Sequence, residues 1–301
     1  MRNLKLLFII VLLFTFVINE NIFAKELKQI IERTFSVSSN ELLELKTDAG
    51  DVSVSTWNKD EISVKVFGNK NAEKKFEFTF DETDFGLRVV GEKRGSGFFN
   101  WFKKMSLKYE IILPKKFNIE IKTAGGDLII DECAGELEMK TSGGDIKLAN
   151  SSGELNCATS GGDISVSDFL GDCDVSTSGG DIDMNSVDGD ISASTSGGDI
   201  FIVSQAGKLK AKTSGGDIQV DYNGMNDGIY LSTSGGDIKV KLPSTFKADV
   251  ELKTSGGKVY NNFENSYGSK VTKRKFIGTY NSGGESLVAK TSGGRITISE
   301  N

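Results

Sequence analysis

Thr141-Ser-Gly-Gly-Asp-Ile146 recurs letter for letter at 159–164, 177–182, 195–200, 213–218 and 233–238. Relaxed forms flank the set: Thr123-Ala-Gly-Gly-Asp-Leu128 before it, Thr254-Ser-Gly-Gly-Lys-Val259 and Thr291-Ser-Gly-Gly-Arg-Ile296 after it. Thr47-Asp-Ala-Gly-Asp-Val52 is a more distant cousin. Counted from Thr123, the starts are separated by 18 residues five times, then by 20, 21 and 37. A fixed period of this size marks a solenoid, in which a repeat buries its apolar face only against its neighbours.

Within a period the apolar residues fall in columns. The residue after the Asp runs Leu128, Ile146, Ile164, Ile182, Ile200, Ile218 and Ile238, and two further on it runs Ile130, Leu148, Val166, Met184, Ile202, Val220 and Val240. The second half of the period repeats the pattern with Leu137, Leu155, Cys173, Ile191 and Leu209, then Met139, Cys157, Val175, Ala193 and Ala211. Apolar residues alternating with polar ones describe half-buried strands. Each 18-residue coil is therefore two short strands and two corners, a flattened two-sided cross-section. A triangular coil of three hexapeptides fails, because its third apolar column would hold Ser152, Asp188 and Ala206.

The corner is expected to need Gly-Gly for positive φ, and Asp to accept hydrogen bonds from turn amides. Thr would end the preceding strand with its methyl toward the core. The three cysteines, Cys133, Cys157 and Cys173, are an odd number, and two of them stand in core columns, so small apolar packing is expected rather than disulfides.

The fold class read from this pattern is all-β, a two-sided β-solenoid with 18-residue coils and an irregular β cap at the N-terminal side. Residues 1–24 read as a secretory signal: Arg2 and Lys5, an apolar run from Leu6 to Ile18, and Ile22-Phe23-Ala24 as the cleavage site. No Cys follows directly, which argues against lipidation. Residues 25–122 read as longer strands and hairpins continuous with the solenoid, 123–257 as the regular coils, and 258–301 as an excursion followed by a C-terminal capping coil. Such caps are required because an open sheet end invites edge-to-edge association.

The strand-turn-strand opening Thr47-Asp-Ala-Gly-Asp-Val-Ser-Val54 with Trp57, then Tyr109-Glu-Ile-Ile-Leu-Pro114 ahead of Ile119–Asp127, carries a family resemblance. So do the Thr-Ser-Gly-Gly-Asp-Ile run, Leu242-Pro243 before Ala248-Asp-Val250, and the closing Thr291–Ile298. In this order, over residues 35–298, the chain resembles a bacterial adhesin-like family of exported domains of unknown function. The resemblance implies a β-solenoid and no established catalytic residues.

Composition narrows function. There is no His among 301 residues, which removes imidazole bases and His metal sites. The net charge of −6 becomes −7 once Arg2, Lys5 and Glu20 leave with the signal, which argues against nucleic acid as a partner. Asp127, Asp145, Asp163, Asp181, Asp199, Asp217 and Asp237 should stack along one corner, and are the candidate Ca²⁺ ligands. The corner reads Gly-Gly-Asp, however, and so offers too few oxygens per coil for a Ca²⁺ roll. Turn chemistry is the preferred reading, and no cofactor is expected. Gly95-Ser-Gly-Phe-Phe-Asn-Trp-Phe-Lys-Lys104 places Phe98, Phe99, Trp101 and Phe102 in a glycine-flanked loop. It is a possible interaction loop for a membrane or ligand, although folding back on the solenoid is the simpler expectation.

The sequence thus reads as an exported, non-catalytic binding or adhesin-like scaffold in the cell envelope, located in the periplasm, at the cell surface or outside. Its partner would be an envelope protein, a polysaccharide or another surface ligand. The second reading is a periplasmic envelope-stress or assembly accessory acting through protein partners, and the third a polysaccharide-active β-helix enzyme.

Overall fold

The computed structural model describes residues 27–95 and 105–301. The expected signal segment and the four aromatics Phe98, Phe99, Trp101 and Phe102 lie outside the described residues. Apart from one helical segment, Lys70–Lys75, the described elements are strands, and none of the described helices is long and apolar enough to cross a membrane. The fold is an all-β solenoid whose sheet is open rather than closed into a barrel.

Each regular coil gives one strand to each of two opposed faces. Ala134–Thr141 lies on the first face and turns at Ser142-Gly-Gly-Asp145. Ile146–Ala158 then starts on the second face, rounds the opposite corner and returns to the first. Stacking is parallel and in register at the predicted period: Leu137 pairs with Leu155, Leu155 with Cys173, Cys173 with Ile191, and Ile191 with Leu209. Both faces turn their apolar columns inward, and every column residue from Leu128 to Val240 is buried. Burying one such aliphatic side chain stabilises by roughly 1.5–3 kcal/mol, most of it offset by chain entropy, so the gain accumulates only as coils stack. Cys133, Cys157 and Cys173 are free and buried, and loss of solvation pushes the Cys133 thiol to about 11 and the Cys173 thiol to about 12.

At both ends, order along the chain departs from order in space. Leu42–Thr47 and Asp51–Trp57 form a coil that stacks on Asn118–Thr123 and Leu128–Asp131. Its other side is covered by Gly86–Lys93 and Leu107–Pro114, which come later in the chain. Antiparallel strands close that end: Phe76–Thr83 on one face, Glu61–Gly68 with Lys28–Ser36 on the other.

The C-terminal side departs from expectation. Ser286–Thr291 and Ile296–Glu300 do form a coil, but not the capping one. That coil is inserted between the coil made by Ile229–Thr233 and Ile238–Leu242 and the coil made by Ala248–Thr254 and Val259–Asn261. The outermost position is taken by the antiparallel pair Lys275–Tyr280 and Ser266–Thr272. The physical reason is the 21-residue step from Thr233 to Thr254, three residues longer than a regular coil. The extra residues, in the link 243–247, carry the chain past one level of the stack, and Phe246 is buried there edge-on to Tyr222, ring centroids 5.9 Å apart.

Candidate binding surface

The repeated corner is where adjacent coils are joined by side chains. From Thr141 onward each Thr hydroxyl donates to the carbonyl of the second glycine in the neighbouring coil: Thr159 to Gly144 at 2.9 Å, Thr177 to Gly162 at 2.9 Å, Thr195 to Gly180 at 3.0 Å. The same hydroxyl accepts from the second glycine of its own corner, as Thr177 does from Gly180 N at 3.3 Å. Thr is thus required for its hydroxyl as well as its methyl.

The glycines act differently from expectation. Except at Gly126, no glycine in these Thr-x-Gly-Gly corners has positive φ. The second glycine is instead demanded by close approach, since a Cβ on Gly144 would lie 1.9 Å from the Gly126 carbonyl oxygen. The first has room: a Cβ on Gly143 would meet nothing within 4 Å.

The aspartates form a one-way ladder. Asp145 N donates to Asp127 Oδ1 at 2.9 Å, Asp163 N to Asp145 Oδ1 at 2.9 Å, and Asp181 N to Asp163 Oδ1 at 2.8 Å. Asp199, Asp217 and Asp237 continue the series at 2.7 Å each. The candidate Ca²⁺ ligands are therefore brought into line, but one oxygen of each already accepts a backbone amide. Among the described residues no group of three His, Cys, Asp or Glu is placed to hold a metal ion. The ladder ends on a cation: Asp237 Oδ1 accepts Arg295 N at 2.7 Å, and Oδ2 accepts Arg295 Nε and Nη2 at 3.0 and 2.7 Å. The Arg295 amide, and then its guanidinium, hold the Asp237 carboxyl below the usual range.

The first face carries the most differentiated outward surface. Toward the N-terminal side Lys46–Glu44, Lys122–Glu120 and Lys140–Glu138 pair along their own strands, and Lys122 reaches Glu138 across coils at 3.3 Å. Hydrogen bonding from Lys46 and Lys140 lowers the pKa of Glu44 and Glu138 respectively. Beyond Glu138 the outward column changes to Asn156, Asp174, Ser192, Lys210 and Tyr230. There an open trough of about 540 Å³ crosses five coils, with Glu154, Asp172, Asp174 and Asp190 on its first three levels and Lys208, Lys210, Asp227 and Tyr230 on its last two. Tyr230 is 39% exposed, with Lys212 Nζ 5.3 Å from its ring centroid. Sequence reasoning followed the inward columns and missed this trough. The signal was the break in the outward column, where paired Glu and Lys give way to small polar residues and then to Lys and Tyr.

Comparison with known proteins fits this architecture. Curated proteins give no match. Among solved structures, a putative adhesin from Bacteroides fragilis is 15% identical, covering 92% of this chain and 98% of its own, with a TM-score of 0.47. A putative lipid binding protein from Parabacteroides distasonis is 14% identical, covering 90% and 96%, with a TM-score of 0.36. A putative cell adhesion protein from Clostridium sporogenes is 13% identical, covering 92% and 100%, with a TM-score of 0.26. The model of the Toastrack DUF4097 family matches residues 40–299, a span that takes in the outlying coil at Thr47, every Thr-Ser-Gly-Gly corner and the inserted C-terminal coil. The chain belongs to the Toastrack DUF4097 family.

Proposed function

We propose that this protein is an exported, non-catalytic scaffold of the cell envelope that binds an extended polymer along its first face, in the manner of an adhesin. The observation that carries the reading is the trough. Its lining residues come from five successive levels of the stack, 154–156, 172–174, 190–192, 208–210 and 227–230. At about 4.8 Å per level it is about 20 Å long, and it is open along its length. That shape suits a chain with a repeating unit better than a small metabolite, which an enclosed pocket would bury. Tyr230 offers a ring face for a sugar, and the carboxylates and lysines along the trough offer partners for hydroxyl and amine groups. Polysaccharide is the ligand class this surface fits.

Co-sedimentation with isolated cell-wall polysaccharide tests the reading. Wild-type protein should sediment with the polymer, and Tyr230→Ala combined with Lys210→Glu should weaken retention while leaving the melting temperature unchanged. If wild-type protein stays in solution with every envelope polysaccharide, the reading fails. Protease treatment of intact cells against cells with an opened outer layer tests location. Cleavage only after opening would favour the periplasmic, partner-binding alternative.

A further inference from the structure

We propose that the coil formed by residues 286–300 is exchangeable, and that the gap it fills is a binding site for a strand, Thr-Ser-Gly-Gly, basic residue, strand segment, supplied here in cis and by a second copy of this chain in trans. Three observations support it. First, this coil has neighbours on both sides, and those neighbours are joined to each other by the link 243–247 and not through it. The coil containing Ile200–Ala206 and Leu209–Lys212 joins its two neighbours along the chain and could leave the stack only by dragging both, whereas 286–300 is reached from the outer antiparallel pair through the link 281–285 and joins neither neighbour to the other. That link holds two residues with positive φ, Asn281 at 50° and Gly283 at 76°.

Second, the gap can close when the coil leaves, because the two surfaces that bound it are complementary to each other. Thr291 donates to Gly236 O at 2.9 Å, and Thr254 donates to Gly294 O at 2.8 Å. These are the same bond one level apart, so without the inserted coil the Thr254 hydroxyl can take the Gly236 carbonyl. Val250 and Leu252, which cover Leu287 and Ala289, can likewise cover Ile229 and Leu231. Restacking recovers much of the burial lost on opening, which lowers the cost of the open state.

Third, the gap carries an address. In spatial order the corner column reads Asp217, Asp237, Arg295, Lys258, so the acid-to-base change falls at the inserted coil. The two guanidinium hydrogen bonds from Arg295 to Oδ2 of Asp237 select a basic residue at this corner position. The C-terminal segment of another copy meets the same requirement, and exchange of an identical element between protomers is a low-cost route to association.

Hydrogen exchange on the full-length wild-type protein, followed by addition of a labelled synthetic peptide spanning 285–301, tests this. The amides of 286–300 should exchange as one unit at least about tenfold faster than the strands on either side of them. The peptide should then enter the full-length chain as a one-to-one complex detected by native mass spectrometry, and its Arg295→Asp version should enter at least about tenfold less. Exchange of 286–300 no faster than that of both neighbouring coils overturns the proposal. So does fast exchange without entry of the peptide, since the open gap would then have no affinity for a second copy's segment.

Discussion

At one corner the chain spells Thr-Ser-Gly-Gly-Asp coil after coil; at the other the corresponding residues read Asn150-Ser-Ser-Gly-Glu154, Asp168-Phe-Leu-Gly-Asp172 and Ser186-Val-Asp-Gly-Asp190. Both corners reverse the chain over the same stacking distance. The variable one does so with positive φ, near 51–56° at Asn150, Asp168 and Ser186 and again at Gly153, Gly171 and Gly189. Its side-chain bonds between coils differ from level to level, such as Ser151 to Cys133 N or Asp172 to Asp190 N. The repeated corner has almost no positive φ, and the same three cross-coil features recur at each level: a Thr hydroxyl, a glycine pressed on a carbonyl, and an Asp carboxylate. Identity of sequence therefore follows the contacts between coils, not the bend within one.

The largest test of that distinction separates the two glycines of one corner. Gly144→Ala drives a Cβ into the Gly126 backbone and should cost about 3 kcal/mol or more. Gly143→Ala enters open space with ordinary φ and should change stability by about 0.5 kcal/mol or less. Urea unfolding midpoints of the two variants decide it. Equal losses would mean that the corner's bend, rather than its stacking, selects glycine.

A smaller effect is expected from Thr177→Val, which keeps the shape and the methyl but leaves the Gly162 carbonyl and the Gly180 amide without their partner. The buried site makes this loss about 1–2 kcal/mol by the same measurement. A neutral Thr177→Val would assign the Thr column to β-propensity and packing alone.

The inner architecture was legible because burial writes itself into a strand with period two, and an 18-residue repeat brings each column back at every level. Ile146, Ile164 and Ile182 therefore announced their own stacking. The corner glycines misled, because positive φ and close approach select the same residue and only coordinates separate them. The inserted coil was illegible for a related reason. Thr254-Ser-Gly-Gly and Thr291-Ser-Gly-Gly carry the same stacking chemistry, so either could follow Thr233, and the link lengths that decide the order have no motif. The trough lay in outward positions, where no packing constraint forces a pattern.

The Asp column permits a finer cut. Asp181→Asn keeps an oxygen for the Asp199 amide, bonded at 2.7 Å, and removes one charge from the stack. Neighbouring carboxylates about 4.8 Å apart repel by roughly 0.9 kcal/mol in water before screening, which opposes any loss in hydrogen-bond strength. Asp181→Asn should therefore stay within about 0.5 kcal/mol of wild type, while Asp181→Ala, with no acceptor, should lose about 1 kcal/mol. A large loss in both would show that the charge itself is needed.

Asp237 extends the comparison to the end of the ladder, where the next residue is a cation rather than another Asp. Its folded pKa lies below the ordinary 3.8, held there by the Arg295 amide first and the guanidinium next. A depressed carboxyl contributes stability that is fully present above the unfolded value and is lost as pH falls through the folded one. Wild-type protein should therefore exceed Asp237→Asn in melting temperature at about pH 6, and the gap should narrow as pH is lowered from about 4 to about 2. Because the pair is partly solvated, the effect at neutral pH should be small, about 1 kcal/mol or less. The direction of the change carries the information. Asn retains an oxygen for the Arg295 amide but no charge, so what titrates away is the charge seen by the amide and by the guanidinium. A gap unchanged down to about pH 2 would mean that the carboxylate charge stabilises the fold through neither contact, and that the basic residue at this corner does not set the position of the inserted coil.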